Sequence, residues 1–137
     1  MEPHTSELAP FRLTSTQIAR SAWTVAVEGE LDLHTVPELE QDLASLPPEA
    51  THVLVDLMDV TFVDSTTLAL LHRTSRKLAG AGGLLVLACD QPDVLRAFET
   101  TGLDRRLVIH RRAHEAARQL LGAALLGPLD GGPQPAL

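Results

Sequence analysis

His52-Val53-Leu54-Val55-Asp56-Leu57 decides the fold. A run this short and this apolar is what a strand covered on both faces requires, so it belongs at the centre of a sheet. Just downstream, Asp64-Ser65-Thr66-Thr67 offers a row of cap residues ahead of Leu68, Leu71, Ser75 and Leu78, which share one helical face. That spacing predicts a helix from about Ser65 to Leu78. Gly80, Gly82 and Gly83 punctuate its end, and Leu84 to Cys89 reads as a second continuous apolar strand.

Working back toward the N-terminus, Pro47-Pro48 closes a helix over Thr35 to Leu46, whose Val36, Leu39, Leu43 and Leu46 recur at helical spacing. Gly29-Glu30-Leu31-Asp32 reads as the loop before it. Phe11 to Ile18 and Trp23 to Val27 carry the apolar and β-branched content of strands, with a hairpin turn within Gln17 to Ala22. Toward the C-terminus, Asp90 or Gln91 with Pro92 starts a helix that turns Val94, Leu95 and Phe98 inward and stops at Gly102. Phe98 and Leu103 stand where the apolar contact of a Schellman stop falls. Leu107 to Ile109 makes a last brief strand, and Arg112 to Leu125 repeats Ala and Leu at helical spacing.

Alternation of this kind specifies parallel strands joined by right-handed crossovers, and the initial hairpin adds an antiparallel pair. The expectation is an α/β fold with a mixed, mostly parallel sheet of about five strands and four to five helices. One domain is expected over residues 10–125. Residues 1–9 are polar, and residues 126–137 are dense in Gly and Pro, so both ends are expected to be flexible tails.

Composition narrows the function. The chain has 137 residues and a net charge of −7, which repels phosphate backbones and anionic lipid and favours partners with basic patches. With three Phe, one Trp and no Tyr, the core must be aliphatic, and the stacking platform of a single-strand nucleic-acid binder is missing. Neither nucleic acid nor membrane is therefore expected as a partner. Cys89 is the single cysteine, which excludes an internal disulfide and a cysteine-based metal cluster and suits a reducing compartment. The N-terminal residues carry no basic region followed by an apolar run, so a cytoplasmic location is expected.

Three stretches together resemble the STAS family of bacterial anti-sigma factor antagonists. They are Gly29-Glu30-Leu31-Asp32-Leu33-His34-Thr35, Asp56 through Leu68, and Val94 through Leu103, within a match over roughly residues 10 to 123. The resemblance implies the STAS fold and a phosphoacceptor serine one residue after the Asp of the middle stretch, which is Ser65. It further implies that the unphosphorylated protein binds an anti-sigma factor that is also a serine protein kinase, freeing a sigma factor. Phosphorylation releases the complex, and a serine phosphatase resets the cycle. Asp32, Asp64, Ser65, Thr66 and Thr67 are the partner-binding residues this implies. Where the family has Gly two residues after the phosphoserine, this chain has Thr67, and a branched side chain there is expected to narrow the approach of a partner backbone.

Ser65 sits at or just inside the first turn of its helix, where free N–H groups and the dipole favour anions, so a phosphate is expected to poison an interface rather than melt the helix. For an isolated serine before an apolar run, capping is the ordinary role; the surrounding motif points to modification instead. Asp32 reads equally as a partner contact or a turn residue. Thr35 reads as a cap, and Thr66 as a capping hydroxyl rather than a second phosphoacceptor.

No enzyme and no cofactor are expected. A hydrolase base at His72 would lie about 10 Å along the helix from Ser65 at 1.5 Å per residue. A phospho-receiver built on Asp56 or Asp59 would place a lysine after the last strand, where this chain has His110-Arg111. Gly80 to Gly83 precede a strand and so cradle no phosphate at a helix start. His110 and His114 lack further metal ligands, Cys89 reads as a small core residue, and Arg105, Arg106, Arg111 and Arg112 read as a solvated rim by default, with a contact for acidic partner residues as the alternative. The alternative function is a STAS-like structural adaptor, such as the small subunit of a bacterial lipid-transport ABC complex, docking permanently through the helix that starts at Ser65.

Overall fold

The computed structural model describes residues 10–126. The expected tails lie outside the described residues, except Leu126, which closes the last helix. The elements are β1 (Arg12–Ala19), β2 (Ala22–Leu31), α1 (Val36–Ala44), β3 (His52–Val63), α2 (Ser65–Gly80), β4 (Leu84–Ala88), α3 (Pro92–Thr101), a 3-10 turn (Leu103–Arg105), β5 (Val108–His110) and α4 (Ala113–Leu126). They form a five-stranded sheet in the order β1-β2-β3-β4-β5. β1 is antiparallel to β2, and the remaining neighbours are parallel. The α/β architecture with a mixed, mostly parallel sheet is thus the observed one.

β3 lies at the centre, as its apolar run requires. Its period of two sends Val53, Val55 and Leu57 to one face and Leu54 to the other. On the first face they meet Val36 and Leu39 of α1, Leu68 and Leu71 of α2, and Val94 and Phe98 of α3. On the second, Leu54 joins Val86 and Ala88 under Ala116 and Leu120 of α4. The core is aliphatic with one aromatic, Phe98, fully buried. Burying a side chain such as Leu57, Leu71 or Leu87, each at 0% exposure, contributes about 1.5–3 kcal/mol. Gly102 stops α3 with a left-handed φ of 77°, and Leu103 packs against the cluster that holds Phe98.

Two expectations change. Gly29-Glu30-Leu31 is the end of β2 rather than a loop, and β3 continues through Val63 instead of stopping near Leu57. Both departures have one cause. The register between β2 and β3 slips between Ala26 and Glu28 and again between Gly29 and Glu30, so β3 carries extra residues and the alternation in both strands is interrupted. Gly29 adopts φ 102° at the second slip, a conformation that glycine takes without the strain of a Cβ. The bent ends still pair, Leu31 opposite Val63, and this delivers Asp32 and Asp64 side by side at the carboxyl edge of the sheet.

Candidate functional site

Asp32 and Asp64 each follow the last residue of a parallel strand. The link between the strand ends is direct: the Asp64 N–H donates to the Leu31 carbonyl at 3.2 Å. At the start of α2, Asp64 is the cap. Its Oδ1 accepts from the Thr66 N–H at 3.0 Å and the Thr67 N–H at 3.1 Å, satisfying two donors that the first helical turn would otherwise leave open. The Thr66 hydroxyl donates to the same carboxylate at 2.5 Å. Burial works to raise the Asp64 pKa, but the Thr66 hydroxyl and the Thr67 N–H outweigh it and hold the carboxyl below its ordinary value.

Asp32 closes a turn of its own. Its Oδ1 accepts from the His34 N–H at 2.9 Å and the Thr35 N–H at 3.1 Å. The Thr35 hydroxyl donates to the Glu30 carbonyl at 2.7 Å and accepts from the Asp32 N–H at 2.9 Å. The His34 N–H is the main reason the Asp32 pKa is lowered, against a smaller opposing effect of desolvation. Asp32 therefore makes the turn that is one of the two roles open to it. Thr35 stands at the cap position of α1 but commits its hydroxyl to the Asp32 turn rather than to the helix.

Ser65 is different. It is exposed at the first helical position, and among the described residues no hydrogen bond engages its hydroxyl. Capping is not its role, because Asp64 fills that role. The anion-attracting N–H groups of Thr66 and Thr67 are taken by Asp64, which sets a carboxylate beside the exposed Ser65.

Thr67 corrects an expectation. It has 0% exposure, and its hydroxyl donates to the Leu31 carbonyl at 2.9 Å, pinning α2 to the end of β2. A side chain with no surface touches no partner and narrows no approach; Thr67 supports the site from beneath. A signal for this was present in the sequence, because Thr67, Leu71, Thr74 and Leu78 fall on one helical stripe.

Two further surface residues escaped the sequence reading. Leu33, after Asp32, is 65% exposed, and Phe62, paired across the sheet with Glu30, is 47% exposed. Large apolar residues read as core by default, so their exposure carried no direct sequence signal.

The site is a surface. Cavities of about 540, 310 and 380 Å³ are lined elsewhere, around His72 and Arg106, between α1 and α2, and beside β5. Among the described residues no group of His, Cys, Asp or Glu is placed to hold a metal ion, and no helix is long and apolar enough to cross a membrane. His110 Nε2 meets Gln119 Oε1 at 2.5 Å. Cys89 is fully buried, and that burial pushes its thiol pKa up. Arg105, Arg106, Arg111 and Arg112 are exposed.

A mixed-sheet α/β domain with an Asp-capped helix presenting a free serine at the sheet's carboxyl edge defines the class. Comparison with known proteins agrees. The family described as "Mlab, STAS domain" matches residues 14–110. The chain is 40% identical over 82 residues to an anti-sigma-B factor antagonist of Staphylococcus epidermidis, covering 59% of this chain and 76% of that protein. In fold it is similar to an anti-sigma factor antagonist from Mycobacterium paratuberculosis, with a TM-score of 0.70 at 24% identity, covering 82% of this chain and 94% of that one. It is also similar to the phosphorylated form of the Bacillus cell fate determinant SpoIIAA, with a TM-score of 0.63 at 20% identity over 79% and 98% of the two chains. The chain belongs to the STAS domain family.

Proposed function

We propose that this chain is an anti-sigma factor antagonist switched by phosphorylation at Ser65. Unphosphorylated, it binds an anti-sigma factor that is also a serine kinase, and the sigma factor goes free. The kinase moves the γ-phosphoryl group of ATP to the Ser65 oxygen, the hydroxyl proton leaves, and ADP is released. A serine phosphatase hydrolyses the ester to inorganic phosphate and restores the hydroxyl. The protein itself catalyses neither step and works in the cytoplasm without nucleic acid or membrane as partner.

The observation that carries this reading is the division of labour along Asp64-Ser65-Thr66-Thr67. Asp64 caps the helix, Thr66 bonds the cap, Thr67 is buried, and Ser65 alone of the four offers an exposed hydroxyl with no structural task. A phosphate there adds about −1.5 to −2 charges next to Asp64, which opposes docking without unfolding the helix. The relatives support it by name: one is an anti-sigma-B factor antagonist, and one structural neighbour is a phosphorylated form.

Intact-mass analysis after incubation with ATP and candidate anti-sigma kinases of the same genome tests the proposal. The expected result is one added phosphate, absent in Ser65→Ala. No phosphate with any kinase would overturn it in favour of the constitutive adaptor, which needs no kinase-accessible helix start.

A further inference from the structure

The cavity of about 540 Å³ is lined by His72, Ser75, Arg76, Ala79 and Arg106. Ser75, Arg76 and Ala79 follow His72 by three, four and seven residues in α2, the spacing of a single helical stripe. Arg106 reaches the same cavity from just after the 3-10 turn. Two guanidinium groups, an imidazole and a hydroxyl thus border one opening, and no carboxylate does. In a chain with 18 Asp and Glu against 11 Lys and Arg, such a lining runs against the composition.

Neighbouring carboxylates serve other places. Glu40 pairs with Arg73 at 3.5 Å beside the cavity between α1 and α2, and Asp104, two residues before Arg106, lines the cavity beside β5. Among the described residues, neither Arg76 nor Arg106 has a hydrogen bond or an ion pair. The cation that answers the carboxyl end of the α2 dipole is Lys77, so Arg76 is not needed for that purpose.

We infer that this cavity binds the phosphate group of a small ligand, held by Arg76 and Arg106 with further donors from Ser75 and His72. A guanidinium presents its N–H groups as a planar fork that matches phosphate oxygens, and an anion between two such groups relieves their mutual repulsion. A phosphate monoester offers three strong acceptor oxygens to these four side chains, where a carboxylate offers two. The cavity volume falls within the range of small-molecule sites, which leaves room for the remainder of the ligand. Screening over about 10 Å at 0.1 M salt lets this local lining outweigh the net negative charge of the chain. Ser75 lies about 15 Å along the helix from Ser65 at 1.5 Å per residue, so the site is separate from the proposed switch and does not rest on it.

The test is an amide NMR titration of the full chain with inorganic phosphate, glycerol 3-phosphate and acetate. The expected result is a saturable shift of the His72, Ser75, Arg76 and Arg106 amides, with a dissociation constant of about 1 mM or below for a phosphate compound, as two charge-assisted pairs provide. Arg76→Ala and Arg106→Ala should each weaken binding about tenfold with unchanged melting temperature, since both side chains are exposed. Arg76→Lys, which keeps the charge and loses the fork, should weaken it less. Arg112→Ala removes the same charge outside the cavity and should leave the affinity as it is. Tighter binding of glycerol 3-phosphate than of inorganic phosphate would identify an ester as the source and equal binding the free ion; both uphold the site. The inference is overturned if these amides show no saturable shift, if Arg112→Ala weakens binding as much as Arg76→Ala and Arg106→Ala do, or if acetate binds as tightly as the phosphates.

Discussion

Asp32 and Asp64 perform the same task at the ends of neighbouring strands, yet the segments they lead into are opposite in character. Both carboxylates turn back onto the N–H groups two and three residues ahead, and both are held below their ordinary pKa by doing so. After Asp64 the chain enters a helix and leaves Ser65 exposed with a free hydroxyl; after Asp32 it makes a turn and leaves Leu33 exposed. One capping device, used twice, frees the next residue from structural duty. At β3 that residue is a serine with a free hydroxyl, and at β2 it is an exposed leucine.

The comparison is broken most severely at Ser65. Ser65→Ala should abolish phosphorylation completely while leaving the melting temperature unchanged, because the helix is capped by Asp64; a fall in melting temperature in a thermal scan would mean that the serine has a structural role after all. Next in size is Thr67→Gly, which restores the residue the family resemblance implies. It removes a fully buried side chain and its bond to Leu31 and places Gly within a helix, so denaturant unfolding should show a loss of about 2 kcal/mol. Phosphorylation by the kinase should persist, since Thr67 presents no surface.

Asp64→Ala removes the cap and should cost about 1 kcal/mol in the same unfolding measurement. Asp32→Ala should cost less, because its bonds close a surface turn rather than a helix start.

Acid gives the smallest and most general effect. Both carboxyls have folded pKa values lowered from 3.8, against about 3.9 in an unfolded chain. Their stabilisation is therefore fully present above the unfolded value and is lost as pH falls through the lower folded values. A double variant, Asp32→Asn with Asp64→Asn, keeps a side-chain oxygen for the caps and loses the titration. Melting temperatures taken from about pH 5 to pH 2 should fall less steeply for the variant than for the wild type.

Much of this was legible in the sequence, and the omissions have a pattern. His52 to Leu57 and Leu84 to Cys89 announced buried strands because unbroken apolar runs have few other uses. Pro47-Pro48 and Gly102 marked helix ends correctly because proline and glycine act locally. The end of β2 and the second half of β3 were not legible, since two register slips break the alternation on which strand reading depends. At the site, Ser65 was found by its motif, and its freedom from capping needed the hydrogen bonds of Asp64. Thr67 was misplaced because a threonine among cap residues reads as surface. Leu33 and Phe62 were missed for the converse reason, that apolar residues read as interior.

The most direct test of the central claim is binding of the kinase to two forms of the same protein, unmodified and stoichiometrically phosphorylated on Ser65, measured side by side with their circular dichroism. The account predicts that phosphorylation weakens binding at least tenfold while the spectrum and melting temperature stay the same. Equal affinity for both forms, or lost affinity accompanied by a lost helix, would contradict it.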